Sequence, residues 1–157
     1  MITVRKAKHN DVERILDLWC EFMDFHEQYD SIYKRSKNGR SKFLKFLKER
    51  ISDRNSLVLI ASEEETICGY LLAKIETKPP VFNERRHGVI FDLATTEKLR
   101  RKGIGEKLFH ESVEWFNKKK INRVELEVAI SNPISMKFWT KMGFKPYSER
   151  RYIRISP

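Results

Sequence analysis

The chain has 157 residues, with 32 Lys plus Arg against 22 Asp plus Glu, so its net charge is +10. That length is one domain's worth, long enough to bury a core without metal or disulfide staples. Hydrophobic residues at 40%, ten of them Phe, exclude a disordered chain, and no stretch approaches the roughly 20 apolar residues of a membrane span. Cys20 and Cys68 stand far apart, with no zinc-type spacing, so the expectation is a single reduced domain over residues 1–157 in the cytoplasm.

Residues 2–7 alternate as an edge strand rather than a signal peptide. Asn10, with Glu13 as a capping-box partner, is expected to start a helix carrying Val12, Ile15, Leu16, Trp19, Cys20 and Met23 to about His26. A polar loop follows to Gly39. Ser41 is the expected cap of a second helix, with Phe43, Leu44, Leu47 and Ile51 on one face. The period then drops to two. Residues 57–61 and 67–75 read as a hairpin around Glu63-Glu64-Glu65, and Lys78-Pro79-Pro80 ends it. Residues 88–95 form an apolar, central strand. A helix begins at Ile104, with Leu108, Val113 and Phe116 inward. Residues 123–130 alternate as a strand. Asn132-Pro133 starts a short helix that Gly143 ends, and residues 144–147 and 150–155 are expected as a last strand pair. The fold class is therefore mixed α/β, in the order β-α-α-β-β-β-α-β-α-β-β.

Between the central strand and the helix after it lies Arg100-Arg101-Lys102-Gly103-Ile104-Gly105. Glycines let backbone N–H groups approach an anion, the helix N-terminus adds unpaired donors and its positive dipole end, and three basic residues add charge. The segment is neither a Walker loop nor a dinucleotide fingerprint, since Leu108 stands where the latter needs glycine. About thirty residues on, Asn132-Pro133-Ile134-Ser135-Met136-Lys137-Phe138-Trp139-Thr140-Lys141-Met142-Gly143-Phe144 matches Asn-x-x-Ser/Ala-x-x-Phe-Tyr-x-x-x-Gly-Phe at all but one position.

With these two segments in this order, the chain resembles the GCN5-related N-acetyltransferase (GNAT) superfamily over nearly its whole length. The resemblance implies an enzyme that moves an acetyl group from acetyl-CoA to a primary amine, directly in a ternary complex and without metal. It implies that the main chain of Leu93, Ala94 and Thr95 pairs with the pantetheine arm, one N–H holding the thioester oxygen. It implies pyrophosphate binding by backbone N–H groups from Arg101 through Lys102, Gly103, Ile104 and Gly105 to Glu106, with Arg100 opening the motif. Asn132, Phe138 and Trp139 would line the far wall. Trp139 stands where the family often has a tyrosine acid, and an indole has no proton to give near neutral pH; a water, Ser135 or another side chain would replace it.

Asp92, a poor strand former among apolar neighbours, and His87 at the strand entrance are candidates to take the amine's proton. Glu127 reads as a solvated edge carboxylate. Phe22, His26, Tyr29 and Asp30 form an expected aromatic and acidic acceptor wall. The resemblance leaves the acceptor open among a protein N-terminus, a lysine and a small-molecule amine, and it leaves room for a homodimer. The competing reading is a non-catalytic basic module for nucleic acid or an acidic partner, resting on runs such as Lys118-Lys119-Lys120. RNA-reading aromatic motifs are absent, so nucleic acid is not the expected partner.

Overall fold

The structure, a computed structural model, describes residues 1–156. It divides into two compact units, Met1–Glu127 and Val128–Pro157.

The first unit is a five-stranded sheet in the order β1-β2-β3-β4-β5: β1 Ile2–Lys6, β2 Ser56–Glu63, β3 Thr66–Thr77, β4 Arg86–Thr95 and β5 Val124–Leu126. The first three pairings are antiparallel, and β4–β5 is parallel. A parallel neighbour requires a crossover, which α3 (Ile104–Lys118) supplies. Helices α1 (Val12–Glu27) and α2 (Gly39–Ser52) cover one face. There Ile15, Leu16 and Trp19 of α1 and Leu47 of α2 join Val58, Ile60, Tyr70, Leu72 and Ala94 in one buried cluster. Helix α3 covers the opposite face, where a Cβ added at Gly69 would meet Ile104 and one at Gly88 would meet Phe116.

Several features of this unit differ from the sequence expectation. Asp11, not Asn10, organises the start of α1: its carboxylate is gripped by Arg5 at 2.8 and 2.9 Å and accepts the Lys8 N–H at 2.7 Å. The chain therefore makes a 3-10 turn over His9–Asp11 before the helix. Helix α2 starts at Gly39, so Ser41 lies inside it and donates back to the Asn38 carbonyl. The inward stripe of α3 is wider than expected, with Phe109, Ser112 and Trp115 buried and Val113 only half-buried. Strand β5 pairs over three residues instead of eight.

The second unit carries α4 (Pro133–Lys141), capped as expected: the Asn132 side chain accepts the Ser135 N–H, and proline follows at the first turn. Gly143 ends it with φ 96°. The strands expected at 144–147 and 150–155 are not formed among the described residues. Pro146 removes a ladder donor, and Glu149 and Arg151 pair locally.

Candidate active site

Where β4 leaves β5, the sheet opens. Parallel pairing ends at Ile90 with Leu126. On the other side Ile90 pairs with Ala73 and Asp92 with Leu72, so Phe91 is an extra, unpaired residue: a β-bulge. Bulges bend a strand and re-aim its side chains. Beyond the bulge, Asp92 to Thr95 have β3 on one side and, among the described residues, no strand on the other. The main-chain donors and acceptors of Leu93 and Thr95, which alternate with the β3-paired Ala94, point away from β3 and form a free edge able to pair with an extended ligand.

Directly after this edge the chain makes a 3-10 turn, Glu97–Leu99, and enters the basic loop. Arg101 has φ 67° and Gly103 φ 75°. Left-handed residues at alternate positions curl successive amides toward one point, an anion-binding nest. Lys107 N–H donates to the Gly103 carbonyl and so makes the first bond of α3. The amides of Ile104 and Gly105 precede it, where no helical carbonyl can reach them. Nothing lies within 4 Å of a Cβ built on Gly103, so the space above the nest is open. The loop is tied down at both ends. Lys102 Nζ reaches both oxygens of Glu63 at 3.2 Å, and the Arg100 guanidinium sits 5.2 Å over the Phe25 ring. A pyrophosphate fits this donor set.

On the α1 face of the bulge stands Asp92. The phenol of Tyr70, fully buried in β3, donates to Asp92 Oδ2 at 3.1 Å. Burial pushes the Asp92 carboxyl up to about 6, and the Tyr70 hydrogen bond offsets part of that rise. Burial, followed by the nearby Asp92 charge, holds the Tyr70 phenol well above its ordinary value. A carboxylate near 6 is ionised at neutral pH yet basic enough to accept a proton from an ammonium during reaction.

The other candidates fall into separate places. His87 is buried at the base of β4 in a charged cluster: Glu125 lies 3.7 Å from its Nε2, and the same carboxylate binds Lys78 at 2.7 Å and Arg123 at 2.8 Å. Five strand residues, roughly 16 Å, separate His87 from Asp92, so the two do not meet. His26 is buried; its Nδ1–H donates to the Phe22 carbonyl at 2.8 Å, and its ring lies 4.2 to 5.9 Å from those of Phe22, Phe25, Tyr29 and Tyr33. It is the hub of an aromatic cluster that fixes the turn after α1. Asp30 caps that turn by accepting the Ile32 N–H at 2.8 Å. Trp19 stacks on Phe43 at 4.3 Å in the core. In the second unit, Ser135 Oγ accepts from Asn132 Nδ2 at 2.9 Å, and Trp139 packs edge-on to Phe138 and Phe144.

Sequence reasoning missed Tyr70, the Phe91 bulge and Tyr33, whose phenol is raised by burial and by the charges of Glu127 and Asp30. Tyr70 had a readable signal: a buried phenol needs a hydrogen-bond partner, and Asp92 in the next strand is a half-buried acceptor.

A strand edge opened by a bulge, leading into an amide nest at the next helix, is built to hold an extended ligand that carries phosphate. The chain belongs to the acetyltransferase (GNAT) family, whose model matches residues 10–144. It is 26% identical to the L-amino acid N-acetyltransferase AaaT of Escherichia coli, over 92% of this chain and 83% of that protein. It is 25% identical to the spermidine N(1)-acetyltransferase of Thermoplasma acidophilum, over 92% and 88%. A predicted acetyltransferase from Clostridium acetobutylicum, solved with acetyl-CoA, superposes with a TM-score of 0.79 at 17% identity, covering 98% of this chain and 96% of that one. The protein is thus an enzyme of a fold that uses acetyl-CoA. Among the described residues, no helix is long and apolar enough to cross a membrane.

Proposed function

We propose that this enzyme transfers the acetyl group of acetyl-CoA directly to a primary amine of a small molecule or a peptide, within one domain, with Asp92 as the general base. The observation that carries this reading is the pairing of a carboxylate raised to about 6 with the free β4 edge at a single bulge. The edge at Leu93, Ala94 and Thr95 takes the pantetheine arm as an added strand, and one of its N–H groups stabilises charge on the thioester oxygen. The amides from Arg101 to Glu106 hold the pyrophosphate, with Arg100, Lys102 and the α3 dipole adding positive charge. The aromatic cluster around Phe22, His26 and Tyr29, with Asp30, shapes the acceptor side.

Asp92 removes the ammonium proton, and the freed lone pair forms the N–C bond as the C–S bond breaks. As the amide forms, the nitrogen gives up its second proton, which water relays to the departing thiolate, since Trp139 carries no dissociable proton. Relatives that acetylate an amino acid and spermidine support an amine acceptor, and the family match across residues 10–144 supports a single domain.

The test is calorimetric titration with acetyl-CoA at moderate salt, with ATP as a polyphosphate control, followed by a screen of spermidine, L-amino acids and peptide N-termini. Micromolar binding that ATP does not reproduce, with acetylation of at least one amine, is the expected result. Equal binding of both ligands reduces the loop to a general anion cradle and refutes the proposal.

A further inference from the structure

We propose that Tyr70 is a positioning residue for acetyl transfer: its phenol, fixed in the core, grips one oxygen of Asp92 so that the other faces the incoming amine. This rests on Asp92 being the base.

The geometry is specific to a long side chain with a terminal donor. Tyr70 pairs across the sheet with Ala94, whereas Asp92 pairs with Leu72. The two residues are therefore diagonal neighbours on one face, a separation that aromatic side chains span. Tyr70 is 0% exposed and packs within the cluster that α1 and α2 form on the sheet. Its ring cannot swing, and the Oη–Oδ2 bond at 3.1 Å inherits that rigidity. The second oxygen, Oδ1, has no hydrogen-bond partner among the described residues and is not sealed from solvent. One oxygen is held and the other is open, which is the arrangement a directed base needs. The bulge at Phe91 places that open oxygen where β4 parts from β5.

The charged and titratable groups around the pair are few. Cys20 from α1 lies within electrostatic range of the phenol and accepts a hydrogen bond from Arg40 Nη1 at 3.8 Å. By strand alternation Glu125 and Glu127 share the α1 face on the β5 side, and His87 shares it further down β4. A phenol hydrogen bond favours the ionised carboxylate, so its removal moves the Asp92 titration to higher pH.

The experiment compares wild type, Tyr70→Phe and Asp92→Asn. The pH profile of kcat/KM is measured for acetyl transfer to spermidine and to L-leucine, and the Asp92 carboxyl is titrated by carbon NMR without any acceptor. Tyr70→Phe keeps the buried ring. It is expected to leave acetyl-CoA affinity unchanged and to move both the acid limb and the NMR titration up by about one pH unit, a loss of roughly tenfold below the limb. An unmoved limb and unmoved titration overturn the proposal, even if activity falls uniformly. Asp92→Asn separates the two ideas. If it retains the acid limb, the base assignment fails; if it abolishes the limb while Tyr70→Phe leaves it in place, only the role of Tyr70 fails. Should Tyr70→Phe not fold, fluorotyrosine in the wild-type chain, a stronger donor, must move the limb down, and a fixed limb is again refuting.

Discussion

Gly103 is where backbone conformation and anion binding meet, and a substitution there separates them. Its φ of 75° is left-handed, and nothing lies within 4 Å of the position its Cβ would take. Gly103→Ala, Gly103→Gln and Gly103→Glu therefore meet no clash and carry only the conformational penalty, about 1–2 kcal/mol. In a chain of this size each kcal/mol lowers Tm by about 2–4 °C, so all three variants remain folded and melt a few degrees early. Binding must then diverge. A glutamate at the N-cap of α3 faces the ligand's pyrophosphate. Two unit charges about 6 Å apart at an effective dielectric of about 20 repel by about 3 kcal/mol, roughly two powers of ten in affinity. The assay is thermal unfolding alongside calorimetric titration with acetyl-CoA. The expected order of affinity is wild type, then Ala, then Gln, with Glu at least about a hundredfold weaker. A Glu variant that binds within a few-fold of wild type refutes the nest, and an equal loss in Gln and Glu refutes its electrostatic part.

Asp92 should oppose stability to activity. Its folded value of about 6 exceeds the ordinary carboxylate value, so the folded state holds the extra proton. Its stabilising contribution is therefore complete below pH about 4 and is lost as pH rises through about 6. Asp92→Asn should thus melt higher than wild type at pH 8, by up to about 3 kcal/mol, while transfer falls at least a hundredfold; a lower Tm at pH 8 contradicts this. Asp11 runs the other way: the Arg5 hydrogen bond, helped by the Lys8 amide, holds its carboxyl below the usual range. Asp11→Asn should cost about 1–2 kcal/mol at pH 7 and little at pH 2.5, as read by urea titration at both values. At Gly88, an added Cβ would lie 2.3 Å from Phe116 Cε1. Gly88→Ala must shift α3 or β4 and should cost about 1–3 kcal/mol in urea unfolding, a steric cost where that at Gly103 is purely conformational.

The two halves of the site were not equally legible, and the reason is chemical. In the proposed site the donor is held through the main chain: a strand edge, a left-handed glycine and the first amides of a helix. Such a device leaves a contiguous trace, because only certain residues adopt those backbone shapes, and Arg100-Arg101-Lys102-Gly103-Ile104-Gly105 shows it in six letters. The hairpin, the α1 stripe and the Asn132 cap were legible for the same reason, since each is a local pattern with a local cause. The proposed acceptor chemistry runs through side chains that the fold gathers from β3, β4 and the turn after α1. Asp92 stood out only as an odd residue in an apolar strand. Its partner Tyr70 lies twenty-two residues away, joined to it by a diagonal contact that exists only once the strands are in register. The bulge that aims Asp92 leaves no signature at all, because Phe91 reads as an ordinary strand residue. His87 misled for the converse reason: near a strand entrance it looked available, yet Glu125, Lys78 and Arg123 enclose it in a charge cluster supplied by three other segments. Backbone recognition is written along the chain and can be read there. Side-chain chemistry is written across the sheet, so it becomes readable only when register is known.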